Sequence, residues 1–142
     1  MELLRRIWSR PAGALGILFV FALLYWGGEH LRRELWAPDE ARFAYVAKEM
    51  REEGHWLVPH RNGEYYAHKP PLMFWMMMSG MEMFGRTEFA VRFWSAVTAV
   101  GTALVTYHIG RLLFDAKTGL WAGLIVCSSF IFTISARAAT VD

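Results

Sequence analysis

Of the 28 charged residues in this chain of 142, residues 29–69 hold 15, eight acidic and seven basic, together with four of the five histidines. If any part of the chain does polar chemistry, it is this stretch. Two groupings in it carry the groups that proton transfer and anion binding require. Pro38-Asp39-Glu40-Ala41-Arg42 sets two carboxylates and a guanidinium within about one helical turn. His68-Lys69-Pro70-Pro71 sets an ammonium group ahead of two prolines, which bias the preceding residue toward an extended conformation. Each grouping also has a plainer reading that spacing alone leaves open. Acids favour a helix N-terminus, and a lysine at a membrane boundary extends its head into water.

The elements that must position these groups follow from the distribution of apolar residues. Hydrophobic side chains make up 55% of the chain and 22 residues are aromatic, which excludes intrinsic disorder. A single cysteine, Cys127, excludes an intrachain disulfide framework and a Cys-rich zinc site. A net charge of +2 argues against a nucleic-acid partner. Runs without a charged residue span 18 residues between Arg10 and Glu29, 18 between Arg92 and Arg111, and 19 between Lys117 and Arg137. Each reaches about 27–29 Å as a helix, near the thickness of a bilayer core. The spacing predicts transmembrane helices over about 11–28, 92–113 and 118–137. Three core helices of a soluble protein would seldom all be this apolar. A signal peptide is disfavoured for the first run, because Trp26-Gly27-Gly28-Glu29-His30 holds no small-x-small cleavage site.

Arg5, Arg6 and Arg10 precede the first run against Glu2 alone, so the N-terminus is expected in the cytoplasm. Residues 29–91 then form an outer loop, Leu112–Ala116 a cytoplasmic turn, and Asp142 emerges on the outer face. Within the loop, Phe43, Val46, Ala47 and Met50 recur at helical spacing. They predict an amphipathic helix over about 38–53, with Pro38 at its first position, Gly54 as its C-cap, and Arg42, Glu49 and Glu52 off the apolar stripe. Asn62-Gly63 is a type I′ turn signal, so Leu57–Arg61 and Glu64–Ala67 are expected as a small hairpin or a reversed loop. The uncharged run Pro70–Met81 has 12 residues, too short to cross, and suits an interfacial helix near 71–84.

Three stretches in order resemble a known pattern: Trp36-Ala37-Pro38-Asp39-Glu40-Ala41-Arg42, Asn62-Gly63-x-x-Tyr66-x-x-Lys69-Pro70-Pro71-Leu72, and Phe84-Gly85-x-x-Glu88-x-x-x-Arg92. A second aspartate, Asp142, follows the third crossing. Together they are similar to the polyprenyl-phosphate-sugar-dependent membrane glycosyltransferases, the group of the lipid A aminoarabinose transferases and protein mannosyltransferase-like enzymes. The resemblance covers residues 34–142. It implies an all-α membrane protein of C-type glycosyltransferase fold, of which residues 1–142 would be the N-terminal part, completed by further transmembrane helices. It also implies sugar transfer from a polyprenyl phosphate donor to a lipid or protein acceptor at the outer face of the bacterial inner membrane. The chain's end directly after a helix, without a stop signal, fits a truncation.

The implied chemistry assigns the residues. A phosphate leaving group needs cations rather than a strong acid, and Lys69 and Arg42 would supply them. Asp39 would act as base toward a hydroxyl acceptor, or orient the reaction when the acceptor is itself a phosphate. Tyr66 and Asp142 match further active-site positions. His68 stands where aminoarabinose-type relatives often carry an acid that belongs, in some, to a metal site. A divalent metal there would need partners such as His60 or His55 and a ligand beyond residue 142.

Two other classes remain in view: a non-catalytic three-helix membrane protein or accessory subunit, and a transporter fragment whose outer charges line a pathway. Continuation of the gene through further apolar segments favours the enzyme. The methionines at 76–78, 81 and 83 are read as packing. Gly101, Gly110, and Gly119 with Gly123, are read as points of close helix approach.

Overall fold

The computed structural model describes residues 11–30, 35, 38–66 and 69–139. Along them run α1 (Pro11–His30), α2 (Asp39–Glu53), β1 (His60–Arg61), β2 (Glu64–Tyr65), α3 (Pro71–Phe84), α4 (Glu88–Leu113), α5 (Ala116–Ser128) and α6 (Phe130–Arg137). The described chain is therefore helical apart from a four-residue ribbon. It divides into two compact units, Met1–Glu29 with Ala96–Ala136, and His30–Ser95 with Arg137–Asp142.

The first unit is packed inside out by the standard of a water-soluble domain. Its core is made largely of small side chains: Ala14, Leu18 and Ala22 on α1, Ala99, Ala103 and Tyr107 on α4, and Leu120 and Cys127 on α5. Large apolar side chains point outward instead, among them Phe19, Leu24, Val105, Leu112 and Ile125. Small residues inside and large ones outside is the arrangement of helices that associate in lipid, where close backbone approach replaces hydrophobic burial as the driving force. Gly119 shows how close that approach is. A Cβ there would lie 2.5 Å from the Tyr107 carbonyl oxygen and 2.8 Å from the Arg111 nitrogen, and one at Gly123 would lie 2.7 Å from Leu18 Cδ2. Gly110 faces Gly119 in the same way. Gly101 departs from expectation: among the described residues nothing lies within 4 Å of where its Cβ would stand.

Among the described residues α4, with 26 residues, is the helix long and apolar enough to cross a bilayer unaided. Its length comes to about 39 Å. The apolar stretch Ala12–Tyr25 within α1 is shorter. The third expected crossing, 118–137, is not one straight helix: α5 and α6 meet at a 66° bend, and only as a broken pair do they have the length to cross. The break falls at the Ser128-Ser129 pair, a recognised kink site. Ser129 is extended (φ −64°, ψ 131°) and its N–H turns back to the Val126 carbonyl. The Thr133 hydroxyl donates to the Cys127 carbonyl at 3.1 Å, satisfying an acceptor that the break sets free. The turn between α4 and α5 ends on Asp115, whose carboxylate accepts from the Thr118 N–H at 2.7 Å and caps α5.

The second unit holds the polar stretch. On α2 the expected stripe is buried: Phe43, Val46, Ala47 and Met50 are almost wholly inaccessible. Pro38 is the residue before the first helical position, and Gly54 closes the helix at φ 75° with its N–H on the Met50 carbonyl. Glu49 departs from expectation. It lies off the apolar stripe, yet it is buried, because it has hydrogen-bond partners on a neighbouring segment. The hairpin is shorter than the sequence suggests, pairing His60 with Tyr65 and Arg61 with Glu64. Its turn is as expected, with Asn62 at φ 54° and Gly63 at φ 79°, the two left-handed positions of a type I′ turn. Helix α3 packs Phe74, Met77, Met78 and Met81 onto α2. Gly80 admits the chain entering α4, where any Cβ would stand 2.2 Å from the Ala90 carbonyl oxygen.

Candidate active site

The first turn of α2 carries Asp39 and Arg42, three residues apart and therefore on one helix face. Their side chains meet, Arg42 Nη2 to Asp39 Oδ1 at 2.5 Å, and both remain partly exposed. The Arg42 guanidinium also lies 5.2 Å from the centre of the Phe43 ring, a cation–π contact. Arg42 Nε is buried with no hydrogen-bond partner among the described residues. The guanidinium thus commits one edge to Asp39 and keeps a donor uncommitted.

Tyr66 is brought to this region by aromatic packing. Phe74 on α3 meets Phe43 edge-on at 6.2 Å and Tyr66 edge-on at 6.4 Å, so one ring ties the start of α2 to the strand leaving the hairpin. The Tyr66 N–H closes that segment on the Pro59 carbonyl at 2.8 Å. Lys69 follows three residues later, half-buried, directly before Pro70, which is extended at φ −67° and ψ 149°. Asp39 and Arg42 are therefore in direct contact, Tyr66 packs in the core shared by α2 and α3, and Lys69 stands two residues before α3. Asp142 and His68 lie outside the described residues. Among the described residues no group of three His, Cys, Asp or Glu side chains stands close enough to hold a metal. The His55 and His60 rings lie 4.2 Å apart, tilted by 38°. A shallow cleft of about 120 Å³ on α2 is lined by Tyr45, Lys48, Glu49, Glu52 and Glu53, and includes none of the expected site residues.

Glu40, next to Asp39 in the chain, belongs to a buried polar centre. Glu40 and Arg92 are each 1% exposed and form a two-pronged ion pair, Nε to Oε1 at 3.0 Å and Nη2 to Oε2 at 2.6 Å. Glu40 Oε1 also accepts the Ala139 N–H at 2.7 Å. One carboxylate thereby joins α2, the start of α4 and the segment after α6. A signal for it existed: an arginine at the edge of an apolar run is expensive to bury unless a carboxylate meets it.

Comparison with known proteins agrees with this architecture. The chain is 38% identical over 118 residues to an undecaprenyl phosphate-alpha-4-amino-4-deoxy-L-arabinose arabinosyl transferase of Sodalis glossinidius, covering 82% of this chain and 21% of that protein. It is 36% identical over 131 residues to the transferase of the same name from Yersinia enterocolitica, covering 91% and 24%. The crystal structure of ArnT from Cupriavidus metallidurans in the apo state matches with a TM-score of 0.81 at 30% identity, over 92% of this chain and 25% of that one. The structure of the same protein bound to undecaprenyl phosphate matches with a TM-score of 0.81 over 87% and 23%. The chain thus spans about a fifth to a quarter of the length of these relatives. The sequence profile described as dolichyl-phosphate-mannose-protein mannosyltransferase matches residues 68–142, more than half of the chain, from the Lys69-Pro70-Pro71 step through α6. With the fold and the sequence profile in agreement, this chain belongs to the dolichyl-phosphate-mannose-protein mannosyltransferase family.

Proposed function

We propose that this chain forms the part of a membrane glycosyltransferase that grips a polyprenyl phosphate sugar and presents it to an acceptor at the outer face of the bacterial inner membrane. The observation that carries the reading is the Asp39–Arg42 pair at the start of α2, joined through Phe43 and Phe74 to the Tyr66–Lys69 segment. It occurs in a chain whose structural relative was crystallised with undecaprenyl phosphate. In the reaction the acceptor oxygen bonds to the anomeric carbon as the bond from that carbon to the phosphate oxygen breaks, and the phosphate leaves with the electron pair. Arg42 and Lys69 neutralise the charge that develops on it, and Tyr66 is assigned to the same phosphate. Asp39 takes the proton of a hydroxyl acceptor, or orients a phosphate acceptor, with Arg42 holding its carboxylate in place. Asp142 is assigned to the same site.

The same reading supplies the topology. Helix α1, helix α4 and the bent α5–α6 pair each cross, the N-terminus is cytoplasmic, and residues 29–91 lie outside. Run length, the arginine excess before α1 and the outward-facing large apolar side chains support it. The test is a transfer assay with radiolabelled polyprenyl phosphate sugars, on the protein at the full length its gene encodes. Label moving to lipid or protein is expected. A protein that binds the donor and transfers nothing refutes the reading.

A further inference from the structure

Glu49 stands on α2 seven residues beyond Arg42, about 10 Å along the axis. Its carboxylate is buried and accepts two backbone N–H groups from the hairpin tip, Asn62 to Oε2 at 2.9 Å and Gly63 to Oε1 at 2.8 Å. Both donors belong to residues in the left-handed conformation. The grip is therefore specific to the type I′ geometry, in which these two N–H groups are presented together. A buried carboxylate is tolerated only while its oxygens are matched, so a shift of the hairpin would strand both of them. From the tip the chain runs through β2 to Tyr66 and then to Lys69. One helix thus bears Asp39 and Arg42 at its start and, at Glu49, the anchor of the segment that bears Tyr66 and Lys69.

We infer that Glu49 is a positioning residue: it sets where Tyr66 and Lys69 hold the donor phosphate relative to Asp39. This deepens the transferase reading and rests on it. Glu49 need not touch substrate, and its effect passes through Lys69, which separates it from a merely structural acid.

The experiment is a double-mutant cycle on the protein at the length its gene encodes, reading undecaprenyl phosphate binding and sugar transfer for wild type, Glu49→Gln, Lys69→Ala and the double variant. Glutamine keeps one acceptor but sets an amide N–H against a backbone N–H. Glu49→Gln is expected to lower kcat/KM for the donor by about 10²-fold, the scale of a displacement of about 1 Å. Undecaprenyl phosphate binding should weaken, and the acceptor KM should stay unchanged. Lys69→Ala is expected to cost little more in the Glu49→Gln background, a clear departure from additivity. Asn62→Pro attacks the contact from the other side, removing one donor and forbidding the left-handed turn at an exposed position, and should reproduce the pattern even if Glu49→Gln does not fold. Additive losses within about twofold overturn the inference, as do wild-type donor constants in Asn62→Pro. A wild-type protein that neither binds undecaprenyl phosphate nor transfers sugar overturns the transferase reading, and this inference with it.

Discussion

Glu40 and Arg92, 52 residues apart in sequence, close on each other through two hydrogen bonds with both side chains 1% exposed, and Glu40 adds the Ala139 N–H. Glu40 lies next to Asp39, and Ala139 precedes Asp142 by three residues. The pair therefore joins the start of α2 to Ala139, the last of the described residues. Removing one partner of a buried pair leaves an uncompensated charge, which costs about 3–5 kcal/mol. Glu40→Ala and Arg92→Ala are each expected to lower the midpoint of thermal unfolding in detergent sharply. Replacing both residues by apolar side chains of similar volume should recover part of the loss, but not all, because the Ala139 N–H still lacks an acceptor. Single variants that melt like the wild type would show that the pair contributes nothing to stability.

Asp39 and Lys69 test the chemistry directly. Asp39→Asn is expected to slow transfer to a hydroxyl acceptor by about 10²-fold or more, the range of general-base effects. Lys69→Ala should lose a comparable factor through the unneutralised phosphate. Both side chains are partly exposed, so melting temperatures should barely move. A double variant that retains near-wild-type transfer would return both residues to the role of solvated surface charges.

Topology is checked by cysteine labelling in a Cys127→Ser background. Glu64→Cys and Lys117→Cys occupy exposed positions in the hairpin and at the start of α5. An impermeant maleimide is expected to modify position 64 in intact spheroplasts, and position 117 only after the membrane is opened. Labelling of both from the same side would refute the proposed crossings.

Asp115 supplies a pH dependence of known sign. Hydrogen bonds from Thr118, first the backbone N–H and then the hydroxyl, hold its carboxyl below the usual carboxylate range. A depressed folded pKa means that the cap's contribution is complete above the pKa of the unfolded chain. It is lost as pH falls through the lower, folded value. Thermal unfolding followed from neutral to acid pH should show a weaker acid decline for Asp115→Ala than for the wild type. Identical declines would show that the cap does not contribute.

Periodicity and run length by themselves determined that the chain is helical and membrane-type. The amphipathic face of α2, its glycine stop, the type I′ turn and the short helix after Pro70-Pro71 were also legible, because each depends on residues within one or two turns of one another. Asp39 and Arg42 could be placed on one face for the same reason, and i, i+3 geometry holds wherever the helix goes. Tertiary structure decided what spacing does not encode. It buried Glu40 and Glu49, two acids that any local rule sends to water, because their partners lie 52 residues away for Glu40 and 13 and 14 for Glu49, and only packing brings a guanidinium or a pair of turn amides within reach. It also broke the helix expected over 118–137 at Ser129, where a hydroxyl four residues on satisfies a freed carbonyl that hydropathy does not register. A charge can be buried only where its partner is already in place, and a sequence shows the charge without the place.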